Sequence, residues 1–404
     1  MSVLVVNAGS SSVKYALVTP HGDGPATVLA KGVVERVGSS SATLRHVADG
    51  RTHESQVDAD DHTQALAAVS DAFARHGPDV RAKLQAVGHR VVHGGESFSG
   101  PVLLDEDVLA EVDRLSVLAP LHNPVNVAGI RAALQRFGGV PHVAVFDTAF
   151  HADLPSVSRT YAVPREWRVE HGVRRYGFHG TSHAYVSRTA SVWLQRERGV
   201  EPSASRVVVL HLGNGASACA VLGGRSIDTS MGLTPLAGLV MGTRSGDVDP
   251  ALAGHLHRVA GLAGDVVEEQ LNRSSGLLGL TGESDLRDVR RLAAAGDSDA
   301  ADALDLYAYR IRSFVGAYTV ALGGLDAVVL TAGVGEHDTA MRASVLGGLE
   351  VLGVQLDEAR NQAAGADGGT VQPVSTETSP VAALVVPTDE EGEIARQAVD
   401  LLGT

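Results

Sequence analysis

One pattern occurs twice in this chain and constrains it more than any other feature. Near the start, a Val-rich run at residues 3–6 meets the polar turn Asn7-Ala8-Gly9-Ser10-Ser11-Ser12, and a second apolar run at 13–18 follows at once. Around residue 210 the pattern returns. A Val-rich run at 207–211 meets Leu212-Gly213-Asn214-Gly215-Ala216-Ser217, then residues 218–222, a Gly223-Gly224 turn and a further strand. Two copies of a strand–turn–strand unit point to a duplicated domain. Tight Gly/Ser turns expose backbone N–H groups and hydroxyls that suit phosphate oxygens, so two copies can grip one nucleotide from both sides. Ordinary hairpins are the competing reading.

Further short apolar runs at 86–92, 142–146, 327–331 and 383–386 alternate with Ala/Leu-rich segments of helical period, which is α/β patterning. One helix is expected from Thr63, with Leu66, Val69 and Phe73 on one face and Gly77-Pro78 as its stop. A second lies between Ala301 and Leu322. The last begins at Thr388, where Thr388 and Glu391 stand three apart as a capping box. A length of 404 residues allows two or three domains. The segment 153–158 reads as a crossing between two of them.

The net charge of -14 repels nucleic acid and anionic lipid, so neither is an expected partner. No run approaches the ~18 uninterrupted apolar residues of a membrane span, and no basic region precedes the first apolar run. The expected location is the cytoplasm. An anionic substrate then needs a locally positive pocket or a metal ion. Lysine occurs only at Lys14, Lys31 and Lys83, so the positive side chains are nearly all arginine. The single cysteine, Cys219, excludes an internal disulfide and Cys-based zinc sites, and its alternating apolar surroundings read as core.

The common nucleotide and hydrolase signatures are missing: there is no G-x-x-x-x-G-K-[ST], no G-x-G-x-x-G after a strand and no G-x-S-x-G. Polar residues instead cluster where apolar runs end. Lys14 adds a point charge beside the first turn. Arg90 closes a buried run just before Gly94-Gly95, a setting for an anion clamp. His122 stands in a turn before Pro124. Asp147 ends another run, where open α/β sheets place catalytic groups, or else caps the next turn. His179 and His183 are four apart but lack the Glu of a zinc helix. Arg244 sits among glycines with Asp247 and Asp249, as a catalytic group or a surface ion pair. Residues 333–337 read as a Gly-rich loop between a strand and a helix.

These strings, taken together and in order, resemble the acetate kinase family. The matching stretches are NAGSSSVKY from Asn7, HRVVHGGE from His89, FDTAFH from Phe146, YGFHGTSH from Tyr176 and HLGNGAS from His211. DTSMGLTPLAGLVMGTRSGDVDP from Asp228, TAGVGEH from Thr331 and the pair Glu390-Glu391 complete the set. The resemblance implies an α/β fold of two duplicated actin-like, ribonuclease-H-like domains with an interdomain active-site cleft. It puts residues 1–150 plus 387–404 in the first domain and 151–386 in the second, nucleotide-binding one. It also implies a homodimer and reversible, in-line, Mg-dependent transfer of the ATP γ-phosphoryl group to acetate, giving acetyl phosphate and ADP, with Mn2+ as an alternative ion.

Carried over residue by residue, the resemblance places Asn7 and Glu390 near the metal, and Ser10, Ser12 and Lys14 along the phosphates. Arg90 and Arg244 would hold the acetate carboxylate and the transferring phosphoryl group, and His179 would hydrogen-bond a phosphoryl oxygen. Asp147 would order a metal-bound water or the acceptor, and His122 would position phosphates. Val92, Leu121, Phe178 and Pro235 would form the methyl pocket. His211, Leu212, Gly213, Asn214 and Gly215, then Asp285, Leu286 and Arg287, then Gly333, Val334, Gly335, Glu336 and His337 would surround the adenosine. Two positions depart from the family pattern, which usually has Asn at His337 and at Asp389. The rival readings are a propionate or butyrate kinase on the same fold, and a non-enzymatic actin-like nucleotide-binding protein. Relative acceptor kcat/KM values separate the first, and acetate-dependent ADP release separates the second.

Overall fold

A computed structural model describes residues 1–22, 24–365 and 371–403. Its backbone divides into two units, Met1–Ala152 with Gly180–Tyr185 and Asp389–Thr404, and Asp153–His179 with Val186–Thr388. Strands of the first unit are β1 (Ser2–Gly9), β2 (Ser12–His21), β3 (Gly24–Glu35), β4 (Thr43–Ala48), β5 (Arg51–Gln56), β6 (Leu84–Val91), β7 (Val102–Leu103) and β8 (His142–Phe146). They form one sheet in the order β5-β4-β3-β2-β1-β6-β8-β7. The second unit carries β9 (Arg206–Leu212), β10 (Ala216–Leu222), β11 (Arg225–Thr229), β12 (Ala327–Thr331), β13 (Gln372–Pro373) and β14 (Ala382–Val385). Their order is β11-β10-β9-β12-β14-β13.

The two sheets share a five-strand core. β3-β2-β1-β6-β8 corresponds to β11-β10-β9-β12-β14, antiparallel through the first two pairings and parallel through the last two. The duplication expected from the sequence is present in the backbone. The central strands β1, β8, β9, β12 and β14 are largely apolar because both of their faces are covered. In β1, Leu4 and Val6 join Leu66, Val69 and Phe73 of the helix His62–His76. Val3 and Val5 turn the other way, onto Ile394, Ala395 and Ala398 of the helix Glu390–Leu402. That helix comes so close that a Cβ at Gly88 would lie 2.8 Å from Ile394 Cγ2. Cys219 is fully buried, and burial pushes its thiol up to about 12.

Three local expectations are corrected. β3, β4 and β5 widen the first sheet where no strand was expected. β5 has hardly a buried side chain, so it carries no apolar alternation to detect. The cap of the last helix is Asp389, not the Thr388/Glu391 box: its carboxylate accepts from Gly392 N at 2.9 Å and Ala26 N at 3.0 Å. Residues 333–337 lie in the short helix Ala332–His337 rather than in a loop. Among the described residues, no helix is long and apolar enough to cross a membrane.

Candidate active site

In the first unit, three neighbouring parallel strands end together. Val6 pairs with His89 and Arg90 with Val145, so Asn7, Arg90 and Asp147 lie at the same edge of the sheet. Asp147 is only 1% exposed and accepts a two-pronged grip from Arg90, with Nε at 3.0 Å and Nη2 at 2.7 Å. A planar fork on a planar carboxylate fixes the guanidinium in rotation as well as position. Burial pushes the Asp147 carboxyl up, with Arg90 pulling against it. Burial likewise opposes the charge on Arg90, but Asp147, Glu390 and Glu391 together hold its pKa above the usual guanidinium range.

Two buried asparagines with no role expected from the sequence shape this edge. Asn126 takes Val92 N on its carbonyl and donates to Ala8 O, which ties the end of β6 to the end of β1. Asn123 bonds both backbone groups of His93. Both project from the helix Asn123–Phe137, with His122 at its N-cap position. Ser10 lies in the turn of the β1–β2 hairpin; Ser12 and Lys14 are on β2, where Lys14 faces Asn7. Val92 is half-buried at the end of β6, and Leu121 is 53% exposed.

Glu390 begins the helix Glu390–Leu402, which packs on β1, β2 and β6. Burial raises the neighbouring Glu391 carboxyl, and Glu390 and Asp389 raise it further. Such crowded negative charge suits a hard divalent cation. Among the described residues, no group of three or more His, Cys, Asp or Glu is arranged as a cage. Mg2+ normally takes one or two protein oxygens and fills its octahedron with water and phosphate, so the Asn7 amide and the Glu390 carboxylate are a fitting donor pair.

In the second unit the cations are differently placed. His179 has a left-handed backbone, φ +58°, at the start of the helix Gly180–Arg198. A non-glycine residue in that region signals a constrained position. Its ring stacks on His211 at 4.2 Å, and its Nδ1 lies 2.8 Å from Ser217 Oγ. Gly215 ends the turn between β9 and β10. A Cβ there would be 3.5 Å from Arg244 Nη1 and 3.6 Å from His179 Nε2, so the absent side chain leaves both nitrogens bordering one small space. Arg244 Nη1 donates to Pro235 O at 3.3 Å. Burial lowers its pKa, and among the described residues no carboxylate compensates it. The surface-pair reading of Arg244 therefore fails: Asp247 instead accepts from Gly238 N and pairs with Arg310. Phe178, 2% exposed, precedes His179 in the core.

A cavity of about 830 Å3 opens in the same unit. Of the residues expected around adenosine, Gly213, Asn214, Asp285, Leu286 and Arg287 line it, as do Gly333, Val334 and His337. The others do not. His211 is taken up by its stack on His179, and Leu212 is core. Gly215 faces Arg244, and Gly335 packs against Leu330. The Glu336 carboxylate accepts from Ala332 N at 2.8 Å and Thr388 N at 3.0 Å, a structural bond pair. Arg287 grips Asp285 and, with its own amide N–H, holds that carboxyl at about 2. Leu277, Arg290, Tyr307 and Asp338 also line the cavity; they come from segments whose sequence carries no nucleotide pattern.

Matching sheets with a polar turn closing the first hairpin of each place the chain among actin-like α/β folds. A bare arginine and a histidine around one space, in the unit that also has a nucleotide-sized cavity, are the apparatus of a phosphotransferase. The chain belongs to the acetokinase family, whose model matches residues 2–396. It is 55% identical over 398 residues, 98% of each chain, to the acetate kinase of Clavibacter michiganensis subsp. michiganensis. Among solved structures, the acetate kinase of Porphyromonas gingivalis superposes with a TM-score of 0.90 at 39% identity, covering 99% of each chain. A propionate kinase from Francisella tularensis subsp. tularensis gives 0.89 at 38% identity, covering 98% of each.

Proposed function

We propose that this enzyme transfers the γ-phosphoryl group of ATP to acetate by direct in-line displacement, giving acetyl phosphate and ADP reversibly, and that it works as a cytoplasmic homodimer built from the two domains described. The observation that carries the reading is Arg244, a half-buried guanidinium with no carboxylate partner among the described residues. An uncompensated cation in a partly dry setting is costly unless an anion completes it. The γ-phosphoryl group, also reached by His179 Nε2, is that anion.

Acetate is ionised at pH 7, so no general base is needed to make the nucleophile. The barrier is the meeting of two anions, and positioned cations lower it. In this reading Arg90, locked by Asp147, orients the acetate carboxylate, while Arg244 and His179 take the charge that develops on the phosphoryl oxygens. Ser10, Ser12, Lys14 and His122 serve the phosphate chain, and Val92, Leu121, Phe178 and Pro235 limit the acceptor's alkyl group. Mg2+ or Mn2+ bound by Asn7 and Glu390 would supply further charge neutralisation on the phosphates.

The test is ADP release, and trapping of acyl phosphate as hydroxamate, across formate, acetate, propionate and butyrate. Acetate should give the highest kcat/KM. Propionate should follow, because one methylene changes discrimination by only roughly 1–3 kcal/mol. ADP release indifferent to any carboxylate would overturn the transferase reading, and butyrate exceeding acetate would overturn the pocket.

A further inference from the structure

Arg175 is partly buried in the second unit, and its guanidinium collects backbone carbonyls. Nη1 donates to Thr229 O at 2.7 Å, Ser230 O at 3.0 Å and Met231 O at 3.2 Å, and Nε donates to Ser158 O at 3.3 Å. Asp228 stands 3.9 Å away, at the limit of an ion pair. The guanidinium also lies over the Tyr161 ring, 5.7 Å from its centroid. Tyr161 extends the same grip, because its hydroxyl accepts from Leu233 N at 3.0 Å. A Cβ at Gly232 would collide with that hydroxyl, so the chain passes directly over it.

The held segment, residues 229–233, leads within two residues to Pro235, whose carbonyl is the acceptor for Arg244 Nη1. On its other side Gly232 O accepts from Tyr176 N at 3.0 Å and Gly177 N at 3.3 Å. Those residues immediately precede Phe178 and His179. One arginine thus fastens the backbone that carries the Arg244 acceptor to the backbone that carries His179. Thr229 is the last residue of β11 and Ser230 and Met231 lie beyond it, so the three carbonyls converge on one nitrogen where the ladder gives out, aligned by the charge they share.

We infer that Arg175 is a positioning residue for phosphoryl transfer, setting the distance between Arg244 and His179 through the 229–235 backbone. It touches neither reactant. The inference rests on the phosphoryl-transfer reading above for its kinetic consequence, but not for its structural one. Arg175→Ala removes all four carbonyl bonds. A shift of Arg244 by ~1 Å is enough to lower turnover by about 10²-fold. The KM for ATP should stay within about twofold, because the nucleotide cavity is lined by other segments. Dilute guanidinium ion, filling the vacated space, should restore part of kcat. Tyr161→Phe deletes only the acceptor for Leu233 N and should act in the same direction by about threefold to tenfold, in keeping with one neutral hydrogen bond.

Initial rates with acetate and ATP varied, thermal unfolding, and amide hydrogen exchange are measured on the wild-type chain, Arg175→Ala, Arg175→Lys and Tyr161→Phe. Support is a kcat loss at constant KM for ATP, guanidinium rescue, and faster exchange confined to residues 229–235. Rates within about twofold of wild type in Arg175→Ala and Tyr161→Phe overturn the inference. So does a rate loss that only tracks the unfolded fraction and ignores guanidinium. If Arg175→Ala does not fold, Arg175→Lys and Tyr161→Phe decide by the same measures. A wild-type chain with no acetate-dependent ADP release would defeat the function reading instead, and the exchange pattern would then decide the positioning role.

Discussion

Arg90 and Arg244 are the same side chain in opposite conditions. Arg90, in the first unit, is locked to Asp147, and the charges of Glu390 and Glu391 further favour its charged form. Among the described residues, the guanidinium of Arg244, in the second, meets only a carbonyl and a thioether sulfur. The first is a compensated cation held in a fixed pose, at the cost of much of its free charge. The second keeps its charge available and is held by its backbone. An acceptor carboxylate needs orientation and a phosphoryl group in transfer needs charge, so the two settings suit the tasks proposed for the two residues.

The sharpest way to break that comparison is to truncate both arginines. Arg90→Ala should have the larger total effect. It strands the buried Asp147 carboxylate, so unfolding free energy should fall by ~3–5 kcal/mol, along with turnover; Asp147→Asn in the same chain should restore much of the stability and none of the rate. Arg244→Ala should lower kcat by ~10²–10³ and leave unfolding within about 0.5 kcal/mol of wild type. Lys should rescue poorly at either position, since an ammonium cannot reproduce the fork. Denaturant titration and steady-state kinetics on both variants check this. Equal stability losses would erase the distinction between the two sites.

A smaller effect separates charge from burial within the first unit. His89 and His142 are buried, their rings share a 2.9 Å Nε2–Nδ1 bond, and burial lowers both pKa values. Below the ordinary histidine pKa of ~6.5 the unfolded chain binds protons that the folded pair does not. Stability from the pair is therefore complete above that pH and declines as pH falls through it, by about 1.4 kcal/mol per pH unit for each histidine. His89→Gln should flatten the slope between pH 6 and 5 by about that amount for one histidine. An unchanged slope would remove the pair from the acid response. The smallest effect concerns Asp389, one of the two departures from the family pattern. Asp389→Ala should cost about 1 kcal/mol as a lost cap, and Asp389→Asn somewhat less, because its amide keeps one accepting oxygen but lacks the second of the two that Gly392 N and Ala26 N use. An Asn variant as stable as wild type would show that the second bond contributes nothing.

The sequence disclosed what both-sided burial imprints on it. β1, β8, β9, β12 and β14 are largely apolar and β6 is buried through its middle, so their positions and the duplication were legible. Arg90, Asp147 and Arg244 were legible because a charged residue at the end of such a strand, just beyond one, or among glycines is out of place without a task. β3 to β5 were not, because β5 buries nothing and β3 buries only Ala30 and Val34. Asn123 and Asn126 look like ordinary helix-start residues until the strand ends they bind are known. The Arg90–Asp147 pair spans 57 positions, and no local pattern marks such a partner. The same holds for Leu277 and Tyr307 in the cavity of the second unit, whose apolar and aromatic character reads simply as core.

The helix Glu390–Leu402 covers one face of a sheet that begins at Ser2. During synthesis, Val3, Val5, Ala16 and Val145 emerge long before Ile394 and Ala398. Roughly 240 residues separate the end of the first stretch of that unit from this helix, a wait of about 12–48 s at roughly 5–20 residues per second. β1 and β2 thus leave the ribosome well before the helix that covers one of their faces. A stalled nascent chain ending at residue 388 should bind a hydrophobic dye or a chaperone through that uncovered face, and lose the binding when a peptide of residues 389–404 is added.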